Sequence, residues 1–507
     1  MPRYAAIDIG SNSIRMQAAE VVPGSPPRIL ASEREVTRLG ESVFHSGKIS
    51  QEAMALSCQV LRRMAEHYQV LDVAGVRAVA TSSARDARNQ AEFLGRASEA
   101  IGAPVEAISG REEARLIYLG VLNRWPHPGK RVLVIDIGGG SAEIIAGEDG
   151  RLHDAVSKPV GAVRLREIFL GSDPPSPREL LRMREFIEEK LADAVRRFGS
   201  GRWDRVIATA ATASAVVCSI GGVPRHKRDQ ADRLRASTAQ VRKLCAKLSG
   251  LDLAARRKVT GIGPRRAEII VPGVTVLLEV LERLRLRAFN FSAAGVRDGI
   301  IADLTARGVG RELSALSRDQ RREVEQMSLR YGVALKHARK VAALSRVLFD
   351  SLLPLHQLPP ASGKLLEAAA YLHDVGHYVS DSSHHKHSYY LVANSDMPGF
   401  TNREREMIAN LCRYHRKAMP SLDHNNHRSL NADERRVLLW LVPLLRIADS
   451  LDSGHEQRID SMQCQIRDGQ VVIQVAASAP IDLESWAAER AGEVFQHVYG
   501  VPVEVRG

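Results

Sequence analysis

Tyr4-Ala5-Ala6-Ile7-Asp8-Ile9-Gly10-Ser11-Asn12-Ser13 stands near the start of the chain and decides how the rest is read. An apolar run bounded by turn residues reads as a buried strand, here Tyr4–Ile9, and it delivers one carboxylate into a turn of glycine and hydroxyl residues. The figure recurs after a break, Trp125-Pro126-His127-Pro128-Gly129. There Arg131–Ile135 runs into Asp136-Ile137-Gly138-Gly139-Gly140-Ser141. Two copies of one figure predict two related α/β halves that face each other.

The two turns have a common chemical use. Glycine lets the backbone approach a phosphate closely and aims amides at its oxygens. The hydroxyls of Ser11, Ser13 and Ser141 add donors. A carboxylate repels phosphate and holds it only through a cation, and magnesium bridges the two with oxygen ligands and retained water. The pair of turns therefore predicts a magnesium–phosphate site.

Outward from these turns, Ser50–Tyr68 and Ser109–Leu122 have helical periodicity behind a serine cap, and Val76–Ala80 reads as a strand. Beyond about Leu304 strand signals fade and helices dominate to about Asp460. Gln465–Val475 then reads as a hairpin around Asp468-Gly469, and Glu484–Val498 as a helix. The expected fold is α/β followed by all-α, with a small α/β unit at the end. The expected boundaries give domains 1–124, 125–303, 304–465 and 466–507, in keeping with a chain of 507 residues that exceeds one core.

Lysine and arginine number 71 against 59 acidic residues, so the chain attracts anions such as nucleic acid, acidic lipid or polyphosphate. Aromatic residues are only 5% and do not alternate with basic ones, which weighs against nucleic acid. No apolar window is long enough to span a bilayer, and Met1-Pro2-Arg3-Tyr4-Ala5 lacks the features of a secretion signal. Cys58, Cys218, Cys245, Cys412 and Cys464 are widely spaced and form no metal-binding pair, which suits buried thiols. A cytoplasmic protein is expected.

Three segments carry a family resemblance: Ala5–Ser13, Ser109-Gly110-Arg111-Glu112-Glu113-Ala114 and Val134–Glu143. Together they resemble the exopolyphosphatase / guanosine pentaphosphate phosphatase family of the actin-like ATPase superfamily. The likeness extends to Ala80–Arg85 with Asn89, to Arg265–Ile270 and to Gly295-Val296-Arg297-Asp298-Gly299, and so to most of the chain. It implies two actin-like (ribonuclease H-like) α/β domains and a homodimer. It also implies that Glu113 is the base that polarises water, that Asp136 and Glu143 surround magnesium, and that Asp8 on the opposite turn helps organise metal or water. The phosphate contacts it implies are Gly10, Ser11, Asn12, Ser13, Gly138, Gly139 and Ser141, with Arg85, Arg266 and Arg297. Without the motif, Glu112 and Glu113 are equivalent, since either carboxylate complements a helix N-terminus. One stretch departs from the family: Ala208-Thr209-Ala210-Ala211-Thr212-Ala213 has alanine at both glycine positions, which puts close phosphate contact from that turn in doubt.

In the helical region, His337, His373-Asp374 and Asp449 resemble the ligand set of HD-domain phosphohydrolases, a possible second divalent-metal site. A metal-free binding domain, a metal site without turnover and a second active site remain open. Arg225-His226-Lys227-Arg228 and Arg256-Arg257-Lys258 read as solvated loops singly, or jointly as the walls of a path for a long anion. The expected function is hydrolysis of the terminal phosphate of inorganic polyphosphate, with the same reaction on pppGpp and a non-catalytic binder of either as the alternatives.

Overall fold

The computed structural model describes residues 1–22, 25–199, 201–307 and 315–506. The chain divides into two compact units, Met1–Thr305 and Ala306–Gly507. The expected edge at 303 falls inside the helix Val296–Ala306, and the division lies after Thr305.

Unit one contains two mixed sheets of one plan. β1 (Arg3–Ile9), β2 (Ile14–Glu20), β3 (Arg28–Glu35), β4 (Gly75–Ala80) and β5 (Val105–Ala107) take the order β3-β2-β1-β4-β5. β6 (Arg131–Ile137), β7 (Ala142–Glu148), β8 (Arg151–Lys158), β9 (Arg205–Thr209), β10 (Arg235–Ser237) and β11 (Ala288–Phe291) take the order β10-β11-β9-β6-β7-β8. In each sheet an antiparallel meander is followed by parallel strands: β1 pairs antiparallel with β2 and parallel with β4, as β6 does with β7 and β9. The internal repeat of the sequence is thus a repeat of topology, with β10 added at one edge.

β1 and β6 are apolar throughout because both of their faces are covered. Ala5, Ala6, Ile7, Leu133, Val134 and Ile135 are all fully buried. Ser50 and Ser109 cap the helices Gln51–Gln69 and Gly110–Arg124, accepting from the amides of Ala53 and Glu112.

The two halves exchange helices. Gly110–Arg124 follows β5, yet Ala114, Ile117, Tyr118 and Val121 share a core with Val132, Val134 and Ile145 of the second sheet. The helix beginning at Val296 follows β11, yet Ile300 and Ile301 pack on Tyr4, Ala6 and Val79 of the first. The helices cross where Gly120 and Gly299 lack side chains. A Cβ on Gly120 would collide with the carbonyl of Gly295, and one on Gly299 with that of Leu116. A buried quartet fastens the crossing: Arg77 meets Glu112 at 2.8 Å and Asp303 at 2.7 Å, and Arg115 meets the same two acids at 2.7 Å each. Each charge has its opposite, which a buried ion network requires.

In unit two, helices including Leu335–Ser351, Ala361–Leu372, His384–Ala393, Asn402–Tyr414 and Ala432–Ser450 precede β12 (Ile459–Arg467), β13 (Gln470–Ala477), the helix Asp482–Tyr499 and β14 (Val503–Arg506). These three strands form one sheet in the order β12-β13-β14. The boundary expected at 465 falls inside β12. Ile459, Met462 and Cys464 of that strand share a single core with Val341, Leu366 and Leu441 of the helices, so no break separates the final sheet. All five cysteines are buried and unpaired. Among the described residues, no helix is long and apolar enough to cross a membrane.

Candidate active site

The hairpins β1–β2 and β6–β7 close in the same way. The Gly10 amide donates to the Ser13 carbonyl at 3.1 Å, and the Gly138 amide to the Ser141 carbonyl at 3.0 Å. The tight turns set the residues that face each other two steps further in: Asp8 opposite Arg15, and Asp136 opposite Glu143. The turns pack tip to tip, so that a Cβ on Gly139 would lie 3.1 Å from Ser11 Cβ and 3.3 Å from the Asn12 nitrogen. Amides of Gly161, Ala162 and Val163 hold the carbonyls of Gly140, Gly138 and Gly139 at 3.2, 3.0 and 2.8 Å, and Arg164 donates to Gly140 at 2.8 Å. A Cβ on Gly138 would meet only its own turn, at Ser141 O 3.3 Å away. The space beyond that backbone is open to a ligand.

A cavity of about 310 Å³ lies between the hairpins, lined by Asp8, Gly10, Ser11, Asn12, Ser13, Glu113, Asp136, Gly138, Gly139 and Ser141. The fold separates the two glutamates that the sequence leaves equivalent. Glu112 is committed to Arg77 and Arg115, whereas Glu113 faces the cavity. Arg85 is not on the wall. Its guanidinium lies 3.4 Å from the Glu113 carboxylate and donates to the Ile108 carbonyl at 2.7 Å. It therefore holds the glutamate. Glu143 is buried behind Asp136. Ser157 donates to its Oε1 at 2.7 Å, while its Oε2 has no hydrogen-bond partner.

The four carboxyls burden one another. Burial drives Asp136 up to about 7, with the charge of Glu113 adding and that of Arg15 opposing. Burial and the charge of Asp136 likewise push Glu143 up to about 7. Burial, then Glu143, raises Glu113 well above the usual carboxylate range, against the pull of Arg85. Burial also raises Asp8, which Arg15 and Arg297 moderate. Converging hard oxygen donors, one of them unpartnered, are the surroundings a divalent cation stabilises.

The cavity is also rich in arginine. Arg15, Arg34, Arg228, Arg266 and Arg297 line the same cavity. Burial, then the charges of Arg34, Arg15 and Arg228, lowers Arg266 to about 9. Burial and Arg15 lower Arg34 to about 10, and burial lowers Arg228 and Arg297 as well. Their crowding is relieved by an anion. A second cavity of about 110 Å³ shares Arg34, Arg228 and Arg266 and adds Arg225 and Arg265. Arg256 takes no part in this path. It is buried, pairs with Asp173 and donates to the Ala267 carbonyl at 3.2 Å.

Sequence reasoning missed Arg15, Arg34 and Asp298 among the residues that line this cavity. Arg15 could have been found, because a hairpin closing from Gly10 to Ser13 sets residue 15 opposite residue 8. Arg34 arrives through the pairing of β2 with β3, to which no motif points.

The alanine-rich turn joins β9 to the helix Ala210–Ile220. Ala208 is buried in the strand and Ala211 lies in the first helical turn, so neither holds a left-handed conformation. The left-handed residue is Ala210, at φ 63°. Thr209, Ala210 and Ala211 line the cavity, so the turn reaches the site despite its methyl groups.

In unit two, His337, His373, Asp374 and Asp449 converge. His373 Nε2 lies 3.2 Å from Asp449 and 3.6 Å from Asp374 Oδ2. His337 Nε2 lies 3.6 Å from Asp449 and 3.8 Å from Asp374 Oδ2.

Comparison with known proteins agrees with this geometry. The model of the Ppx/GppA phosphatase family matches residues 18–307, and that of Ppx/GppA phosphatase domain III matches residues 320–482. The solved PPX-GPPA enzyme of Aquifex aeolicus is 29% identical, with 59% of this chain and 99% of that one covered at a TM-score of 0.52. An exopolyphosphatase-like protein is 28% identical over 60% of this chain and 97% of its own, at a TM-score of 0.57. An exopolyphosphatase from Cytophaga hutchinsonii, 24% identical over 60% of this chain and 97% of its own, shares the fold at a TM-score of 0.55. With more than half its length matched by the family model and its paired acidic turns set around one cavity, this chain belongs to the Ppx/GppA phosphatase family.

Proposed function

We propose that the protein is an exopolyphosphatase that hydrolyses the terminal phosphate of inorganic polyphosphate with magnesium at the carboxylates of unit one. The observation that carries this is a cavity that brings three acids, Asp8, Glu113 and Asp136, together with five arginines, beside an arginine-lined cavity without an aromatic residue. A phosphate chain carries charge along its length and fits such a path. The second cavity offers a guanine base no aromatic ring to stack on, so pppGpp is the weaker alternative.

In the mechanism, Asp136 and Glu143 would hold Mg2+, with Asp8 organising its water ligands. The cation, when bound, draws charge from the phosphate that leaves. Glu113 accepts the proton of the attacking water. Its carboxyl is raised by burial and by Glu143, the direction that makes it a stronger base. Arg85 fixes the glutamate by its contact at 3.4 Å. The water oxygen bonds to the terminal phosphorus, the P–O bond to the next phosphate breaks, and orthophosphate departs. The turn amides and the arginines hold the nonbridging oxygens, where phosphoryl transfer needs positioning and charge neutralisation. Glycine at 10 and 138 leaves room for that approach.

The proposal is tested by orthophosphate release from long-chain polyphosphate and from pppGpp, measured side by side with wild type and Glu113→Gln. It expects the higher kcat/KM on polyphosphate and its loss in the variant. Preference for pppGpp would transfer the activity to the nucleotide, and undiminished release by Glu113→Gln would remove the assigned base. Absence of turnover by the folded wild type on both substrates would leave a non-catalytic binder.

A further inference from the structure

β1 and β4 run parallel with Ile9 beside Ala80, and the Thr81 amide donates to the Ile9 carbonyl at 3.1 Å. The two chains therefore leave the sheet side by side. One enters the turn at Gly10, the other the short helix Ser82–Asp86. This places Ser82 on the cavity beside the glycine turns, although no motif singles it out. Ser82 and Ser11 are both nearly buried, at 3% exposure. Both close on the second turn, where a Cβ on Gly140 would collide with either hydroxyl oxygen.

Arg164, on the helix Ala162–Phe169 of the second half, reaches Ser82 from behind that turn. Its Nε donates to the Gly140 carbonyl at 2.8 Å and its Nη2 to Ser82 Oγ at 3.1 Å. Nη2 also meets the Asp86 carboxylate, and the guanidinium carbon lies 4.0 Å from the centre of the Phe44 ring. A planar fork held on these sides cannot turn, and a guanidinium only donates. Ser82 Oγ is therefore the acceptor. Among the described residues its hydroxyl takes this one hydrogen bond and gives none. The hydrogen is left for a ligand. With a cation at its back, such a hydroxyl disfavours a metal ion and suits an anionic oxygen. Ser11 Oγ, buried without a partner, offers a second donor at the same cavity.

We infer that Ser82 is a further substrate-binding residue. It donates, with Ser11, to nonbridging oxygens of the phosphate seated at the turns, and Arg164 is the positioning residue that directs its hydrogen there. This rests on the phosphohydrolase reading of the cavity. The contact is a hydrogen bond to a charged group, and its loss should weaken binding about tenfold.

The test measures binding apart from turnover, in full-length protein carrying Glu113→Gln. Isothermal titration calorimetry with tripolyphosphate and Mg2+ gives the Kd of a chain too short for distant contacts to mask the effect. Adding Ser82→Ala should raise that Kd about tenfold. Arg164→Lys should weaken binding at least threefold more when the Ser82 hydroxyl is present than when it is absent, because the arginine acts through it. An unchanged Kd in Ser82→Ala would overturn the contact, and additive effects would overturn the positioning role. Should Arg164→Lys fail to fold, Asp86→Asn, which frees the guanidinium from its carboxylate, takes its place in the cycle. If the Glu113→Gln protein binds neither tripolyphosphate nor pppGpp, the phosphohydrolase reading falls and the inference with it. If it binds and Ser82→Ala binds equally well, the inference alone falls.

Discussion

The hairpins β1–β2 and β6–β7 share a turn, a register and a place in their sheets, and they differ in one charge. Opposite its aspartate, the first carries Arg15 and the second carries Glu143. A duplicated scaffold has thus come to present unlike halves to one cavity. The first half holds Asp8 in the field of Arg15 and Arg297, turning that wall toward an anion. The second stacks Glu143 behind Asp136 and drives both carboxyls up to about 7, turning that wall toward a cation. A phosphate with its metal ion spans the two. Glu113, on a helix lent by the first half to the second, belongs to neither wall and aims between them.

The largest effect should come from that shared residue. Glu113→Gln keeps the shape and removes the base, so kcat for polyphosphate should fall by about 10²–10⁴-fold with KM little changed. A fall confined to KM would make Glu113 a binding residue of one wall. The next effect isolates the acidic wall. In the metal-free protein the Asp136 carboxyl keeps its proton up to about pH 7, against 3.8 for the ordinary group. A raised carboxyl adds stability that is complete at low pH and is lost as pH rises through about 7. Asp136→Asn should therefore raise the Tm of chelated protein by roughly 5 °C at pH 8 and leave it unchanged near pH 4. Added Mg2+ should stabilise wild type and not the variant. Differential scanning calorimetry at the two pH values distinguishes this from a pH-independent packing change.

The basic wall gives a smaller and different response. Arg34→Gln should raise KM for polyphosphate several-fold, with a shallower dependence on salt, since one fewer charge meets the polyanion. Initial rates across a salt series measure the slope. The smallest effect lies in the linking turn. Ala210 sits at φ 63°, where glycine is at ease, so Ala210→Gly should stabilise unit one by about 1 kcal/mol in urea unfolding.

The same contrast explains what the sequence disclosed. The two turns were legible because their chemistry is local: an apolar strand, one aspartate and glycines occupy about ten consecutive residues. The carboxylates followed from those turns and from the Glu112-Glu113 segment, although only the fold tells these two apart. Arg34 was not assignable because it enters from a third strand through sheet pairing, whereas Arg228 stood out only as part of a basic segment whose place at the cavity the fold decides. The helix exchange was equally hidden. Gly120 and Gly299 are ordinary glycines in sequence, and only the crossing of two helices shows why each lacks a side chain. Arg85 illustrates the reverse case, a motif residue whose guanidinium is held by Glu113 and Ile108 and does not line the cavity.

The division of labour between the hairpins is tested most directly by two matched titrations on Arg15→Gln and Glu143→Gln. Initial rates are measured against polyphosphate at saturating Mg2+ and against Mg2+ at saturating polyphosphate. Arg15→Gln should raise KM for polyphosphate about tenfold and leave the Mg2+ requirement alone, while Glu143→Gln should raise the Mg2+ requirement about 10–100-fold and spare the polyphosphate KM. If both variants shift both constants together, the hairpins do not serve separate charges and the account is wrong.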